Sequence, residues 1–158
     1  MLTPPSATRN EPLRPVELRL AMATATLGAG AAIYVLFRST GLRWGDWGRA
    51  MGLAGAIDVA RGHARPAAAV VPQWFVYSLP DGLWLLSLLI ALDAIWSAGR
   101  ARWVVRGIVL TAAVAHEVAQ ASWSGLGTSS GADVACYVAA VVAAAGVSRF
   151  GFLKRSRR

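Results

Sequence analysis

The sequence predicts an all-α protein, a four-helix transmembrane bundle with an interfacial helix in its first loop. The first observation behind this is composition: of 158 residues, 56% are hydrophobic and only 15% charged, with a mean hydropathy of +0.48. An average soluble domain carries about a quarter charged residues. The second is that four apolar segments approach the roughly 20 helical residues needed to cross a hydrocarbon core. The third is that Lys and Arg collect at the ends of those segments, as the positive-inside rule requires. Helices are the only choice, because lipid satisfies no open backbone group and four short spans cannot close a barrel.

Residues 1–16, "MLTPPSATRNEPLRPV", are rich in Pro and polar side chains and are expected to form a disordered cytoplasmic tail. The first span covers 18–37. Its apolar run is longer than a signal-peptide core and ends in "YVLFRST" without a small-x-small cleavage pattern, so it reads as a retained helix. Ala21, Ala25, Gly28 and Ala32 recur in it at spacings of three and four, which would let a neighbouring helix approach closely. An alanine-rich composition explains the same pattern.

The segment from Arg38 to Tyr77 contains "WGDWGRAMGLAGAIDVARGH" at 44–63. Trp44, Trp47, Met51 and Ala54 fall at helical spacing, while Asp46, Arg49, Asp58 and Arg61 break its hydrophobicity. This reads as a helix lying in the interface with its tryptophans at headgroup level; a re-entrant or loosely folded loop is the alternative.

The second span covers 79–97 and opens with "YSLPDGLW", in which Ser78 precedes Asp81 by three residues. That is a capping-box spacing with proline in the first turn. The third span covers 103–121 and the fourth 132–150. The fourth opens with "SSGAD", repeating the spacing with Ser130 and Asp133. A basic tail, 154–158, follows.

Arg9, Arg14 and Arg19 precede the first span, Arg100, Arg102 and Arg106 separate the second and third, and Arg149, Lys154, Arg155, Arg157 and Arg158 follow the fourth. With four spans these regions share one side, so both termini are expected in the cytoplasm of a bacterial plasma membrane. The loop "SWSGLGTSSGA" is uncharged and falls outside. Arg38, Arg43, Arg49, Arg61 and Arg65 also fall outside, in a long loop that weighs less in the rule.

Sixteen basic against eight acidic residues give a net charge of +8. The basic residues flank apolar segments rather than forming a stripe, which argues for anionic lipid headgroups and against nucleic acid as the counter-charge. The lone Cys136 has no intrachain partner and no charged neighbour, and no cofactor motif is present. The oligomeric state is not encoded in any motif.

"AVAHEVAQASW", residues 113–123, places Glu117 and Gln120 on one helical face, roughly a turn inside the outer boundary. A zinc-protease HExxH helix would need histidine at 120, and glutamine is a poor ligand, so no metal site is expected; His116 lies on a different face from Glu117. The outgoing end of the third span meets the starts of the second and fourth, so Asp81, Glu117, Gln120, Asp133 and Tyr137 are the candidate ligand-binding residues, with Trp84 and Trp123 as walls. A carboxylate at that depth is costly unless it faces the bundle. Capping for the aspartates and snorkelling for Glu117 are the competing accounts. Asp93 lies near Arg100, Arg102 and Arg106, and an ion pair with one of them is expected.

The succession of Glu117-x-x-Gln120, a glycine-rich connection and Asp133 opening the last span resembles the C-terminal half of VanZ-like membrane proteins. "IDVAR", "YSLPDGLW", "EVAQ" and "GTSSGAD" extend the resemblance over approximately residues 38–147 to small four-span bacterial membrane proteins. Ser130 and Tyr137 stand where that family commonly has aspartate and asparagine. The resemblance implies one VanZ-like transmembrane domain over 17–153 and a role in bacterial envelope physiology, which for the namesake is low-level glycopeptide resistance.

Three functions follow as expectations. The first is binding of an envelope or lipid-linked component in an outward-facing acidic pocket. The second is an enzyme on a lipid-linked substrate, with Glu117 as candidate catalytic acid or base and Asp133 among aspartates holding a divalent cation. The third is a structural or accessory membrane subunit that uses its polar groups for capping and pairing.

Overall fold

The computed structural model describes residues 15–38, 43–96, 99–122 and 130–153, and these form seven α-helices and no strand. They are α1 (Pro15–Phe37), α2 (Arg43–Ala50), α3 (Ala54–Ala68), α4 (Gln73–Tyr77), α5 (Leu79–Ile95), α6 (Arg100–Ser122) and α7 (Gly131–Leu153). The two expected tails lie almost wholly outside the described residues.

Three segments are long and apolar enough to cross a membrane: Val16–Phe37, Arg100–Ser122 and Gly131–Ser148. They contain the expected first and third spans and cover the fourth, 132–150, as far as Ser148. The expected second span corresponds to α5, whose 17 residues rise only about 25 Å. Yet α5, "LPDGLWLLSLLIALDAI", is the most enclosed helix. A helix apolar on all sides has no solvent face to offer and belongs in the middle. It lies between α1 and α7, with α6 more loosely alongside.

Small residues set the close approaches. A Cβ added at Gly82 would lie 2.9 Å from Cys136 Cβ and 3.1 Å from its carbonyl oxygen, so α5 and α7 touch backbone to backbone there. On the other side, Gly30 of α1 sits under the Trp84 ring, where a Cβ would come within 2.8 Å. Ser87 Oγ donates to the carbonyl of Ala23 at 2.7 Å, tying α5 to α1 through a buried bond. Leu85, Leu89, Ala140 and Ala144 form the core between α5 and α7.

The face of α1 used for this packing is Ala23, Thr26 and Gly30, not the expected stripe. Ala21, Ala25, Gly28 and Ala32 are exposed, and a Cβ at Gly28 meets nothing. Spacings of three and four identify a face but not which of several alanine faces meets a partner. Ser87 and Trp84 on α5 decide that here.

The segment expected as one interfacial helix is two. Leu53 N–H donates to Gly48 O at 2.8 Å and Gly52 N–H to Arg49 O at 3.0 Å, the paired bonds of a Schellman stop. Gly52, at φ +72°, supplies the left-handed residue that this stop requires. Trp47 and Met51 are exposed, and α3 buries none of its residues. Arg61 fastens α3 to the end of α1 by donating from Nε to Val35 O at 2.8 Å.

At the opposite end of the bundle, Asp93 is 2% exposed and joins four helices. Arg102 donates to both carboxylate oxygens, from Nε at 3.0 Å and Nη2 at 3.2 Å, and Arg106 donates at 3.1 Å. Ser148 of α7 donates its hydroxyl to the same carboxylate, and Arg19 of α1 donates to the Asp93 carbonyl at 3.0 Å. The expected pairing is thus realised with two arginines. Removing one partner of a buried ion pair leaves charge uncompensated, at a cost on the order of 3–5 kcal/mol.

Asp93→Ala is therefore expected to lower the thermal midpoint of the detergent-solubilised protein far more than any surface carboxylate change. Gly82→Ala is expected to destabilise through its clash with Cys136, whereas Gly28→Ala leaves the midpoint unchanged or raises it. Circular-dichroism melts of the three variants check both statements.

Candidate functional site

The end of the bundle opposite Asp93 gathers the polar residues singled out above. The start of α5 brings Asp81, the last turns of α6 bring His116, Glu117 and Gln120, and the first turns of α7 bring Asp133 and Tyr137. Asp81 is close enough to Glu117, Asp133, His116 and Arg38 to interact electrostatically with each. Two of the expected groups are joined directly: Tyr137 Oη donates to Glu117 Oε1 at 3.1 Å.

Glu117 is only 7% exposed, so it does not snorkel. Its Oε2 is buried and has no hydrogen-bond donor among the described residues. A buried acceptor left unmatched costs about 1–3 kcal/mol, more when it carries charge.

Asp133 has local employment. Its Oδ2 accepts from Ser130 N–H at 2.8 Å and from Ser130 Oγ at 2.9 Å, while Asp133 N–H faces Ser130 Oγ at 3.3 Å. This is a reciprocal cap on α7. The matching box expected at Ser78 and Asp81 does not form, because α5 has no free first turn there. Ser78 is itself helical and its N–H donates to Trp74 O at 2.9 Å, while Gly82 N–H donates to Ser78 O at 3.2 Å. The chain runs from α4 into α5 with little interruption, and Asp81 is left to face the cluster.

Gln120 does not bond Glu117. Its amide nitrogen lies 2.8 Å from His116 Nε2, one helical turn back. The two side chains thus hydrogen-bond to each other along one face of α6.

Beside the cluster an open groove of about 390 Å³ runs between α5 and α6. Asp81 and His116 line its polar end with Tyr137, and Leu88, Val109 and Ala113 line its apolar length. Trp84 forms part of the wall and is held by Tyr34, with ring centroids 5.5 Å apart. Arg38 stacks between two rings, 4.7 Å from the Tyr34 centroid and 5.0 Å from that of Tyr77. Trp123, the other expected wall, lies outside the described residues.

Sequence reasoning passed over two members of this site. His116 lines the groove despite lying off the Glu117 face, and its spacing of four from Gln120 is the signal that links them. Arg38 ends α1, and only the return of α5 past that end brings it near Asp81. Among the described residues no three His, Cys, Asp or Glu side chains are grouped to hold a metal ion. The arrangement thus offers acceptors and an apolar trough, with no ligand set for a cation bridge between Glu117 and Asp133. No family model, curated protein or solved structure matches the chain.

Asp133→Ala is expected to cost about 1 kcal/mol, the loss of one cap, with Asp133→Asn recovering most of it. Urea unfolding in detergent measures both, and equal losses for Ala and Asn would show that the carboxylate charge, not the cap, matters.

Proposed function

We propose that this chain is an integral membrane protein of the VanZ-like type that binds an envelope or lipid-linked component in an outward-facing acidic pocket. The observation that carries this reading is the groove between α5 and α6, apolar along its length and polar only where Asp81, His116 and Tyr137 meet, with Glu117 buried behind Tyr137. Small-molecule sites have this character, an apolar trough with a few convergent polar groups.

The membrane reading assigns α1, α5, α6 and α7 as spans, α5 being extended by α4 through Ser78. It is supported by three helices of sufficient length and hydropathy. The placement of charge supports a bacterial plasma membrane orientation. Arg19, Arg102 and Arg106 gather around Asp93 at one end, and the carboxylates Asp81, Glu117 and Asp133 gather at the other. The basic end faces the cytoplasm and anionic lipid, together with both termini. Helices α2 and α3 lie along the outer interface, where Trp47 and Met51 meet headgroups.

A purely structural role is favoured by the Ser130 cap at Asp133 and by the Glu117–Tyr137 bond that pairs α6 with α7, but neither matches Glu117 Oε2. Glu117 has no cap or ion pair to account for its burial.

Lipid extracted with the purified full chain tests the pocket. One lipid class enriched over the bulk membrane extract, and lost in Asp81→Asn and Glu117→Gln, is the expected result in mass spectrometry. Composition equal to the bulk extract in all three proteins defeats the reading. Orientation is checked separately in a Cys136→Ser background. A cysteine introduced at Ser130 is expected to react with a membrane-impermeant maleimide in intact cells, and one at Ser156 only after permeabilisation.

A further inference from the structure

We infer that the groove between α5 and α6 takes one amphiphile whose head bears a primary ammonium group, seated at Asp81 with its chain along Leu88, Val109 and Ala113. This rests on the pocket reading above and specifies the chemistry of its ligand.

Shape comes first. Helix α6 is fastened at its inner end to α5, through Arg102 and Arg106 on Asp93, and at its outer end to α7, through Glu117 and Tyr137. Between these polar anchors Val109 and Ala113 of α6 pack at the edge of the core, and together with Leu88 of α5 they line a groove that stays open. Helix association in lipid depends on van der Waals contact, so the apolar surface that these helices leave open along the groove is matched by an apolar chain. A volume of about 390 Å³ is within the range of sites for small ligands, roughly 300–1,000 Å³.

Charge then selects the head. Three carboxylates, Asp81, Glu117 and Asp133, stand near one guanidinium, Arg38, and so leave a formal excess of negative charge. His116 is engaged by Gln120 on the same face of α6. Arg38 is also engaged by two aromatic faces, and Asp133 by its cap. The acceptors left over are Asp81 and the unmatched Glu117 Oε2. An anionic head is repelled here. A bare metal ion has no set of three ligands among the described residues. A quaternary ammonium brings charge but no donor. A primary ammonium brings charge and N–H donors to Asp81, the carboxylate that lines the groove, while the buried Glu117 adds its negative field from behind Tyr137.

The test changes donors while leaving phosphate and chains alone. The full chain in detergent is titrated with phosphatidylethanolamine, its N-monomethyl and N,N-dimethyl derivatives, phosphatidylcholine and phosphatidylglycerol, all with the same acyl chains, and bound lipid is counted by native mass spectrometry. Affinity is expected to fall with each methyl group, by about tenfold from phosphatidylethanolamine to phosphatidylcholine, the worth of one hydrogen bond to a charged group. Asp81→Asn and Glu117→Gln are each expected to flatten that series, and Leu88→Trp, which fills the groove, to remove retention of every lipid. Equal affinity along the series, or a preference for phosphatidylglycerol, overturns the ammonium assignment; if retention is still lost in Leu88→Trp, the pocket itself survives. Retention unchanged in both Leu88→Trp and Asp81→Asn overturns the pocket and the ammonium head together.

Discussion

The carboxylate of Asp93 is the point on which the arrangement of the long helices depends. It is deeply buried on α5, yet it accepts from two arginines of α6 and a serine of α7, while its own carbonyl accepts from an arginine of α1. A buried carboxylate is costly until every lone pair is matched, so each partner is held as firmly as the charge itself. The consequence is geometric. The connection from α5 to α6 is short, and Gly99 at φ +92° turns it sharply, so the inner ends of these helices are pinned together. Where α6 goes from there is decided at its far end.

That far end is anchored to a different helix. Glu117 bonds Tyr137 on α7, so α6 is tied by polar groups to α5 at one end and to α7 at the other. Meanwhile Gly82 holds α7 tightly against α5. A tight pair, α5 with α7, and a third helix tied to one member at each end enclose a groove as a matter of geometry. The groove is therefore a product of two polar anchors and one glycine contact, and the candidate site inherits its shape from residues outside it.

Much of this architecture was legible in the chain. The all-round apolar character of residues 79–95 marks a central helix, and the Asp93 ion pair is foreshadowed by the arginines that follow it. Ser130 and Asp133 form the cap that their spacing implies. What could not be read there is informative for physical reasons. The same spacing at Ser78 and Asp81 fails because a preceding short helix already satisfies the first-turn amides, and that depends on Pro72 starting α4. The packing face of α1 was misplaced because alanine occupies several faces, and only the buried hydroxyl of Ser87 distinguishes them. The break at Gly52 ends α2 where periodicity continues, since a left-handed residue stops a helix without disturbing the hydrophobic pattern. Residues sharing one end of the bundle could be listed from topology, but their pairings could not. Gln120 has Glu117 and His116 both within one turn, and side-chain reach on α6 settles it in favour of His116.

The two acidic helix-terminal residues also show how one residue type divides its work. Asp133 is near the cluster but has both functions of a cap, accepting from its own first turn and orienting Ser130. Its charge is consumed locally, in the field of the α7 N-terminus. Glu117 lies inside the C-terminal half of α6, more than a turn before Ser122, where no free backbone amide is available to a carboxylate. Local structure therefore gives Glu117 no reason to be a carboxylate, and a glutamine could accept the Tyr137 bond equally well. A buried carboxylate with one oxygen unmatched is the feature that the proposed ammonium ligand would answer. The structural account fits Asp133 and Asp93, whose carboxylates are engaged from within the protein; at Glu117 it leaves Oε2 unmatched.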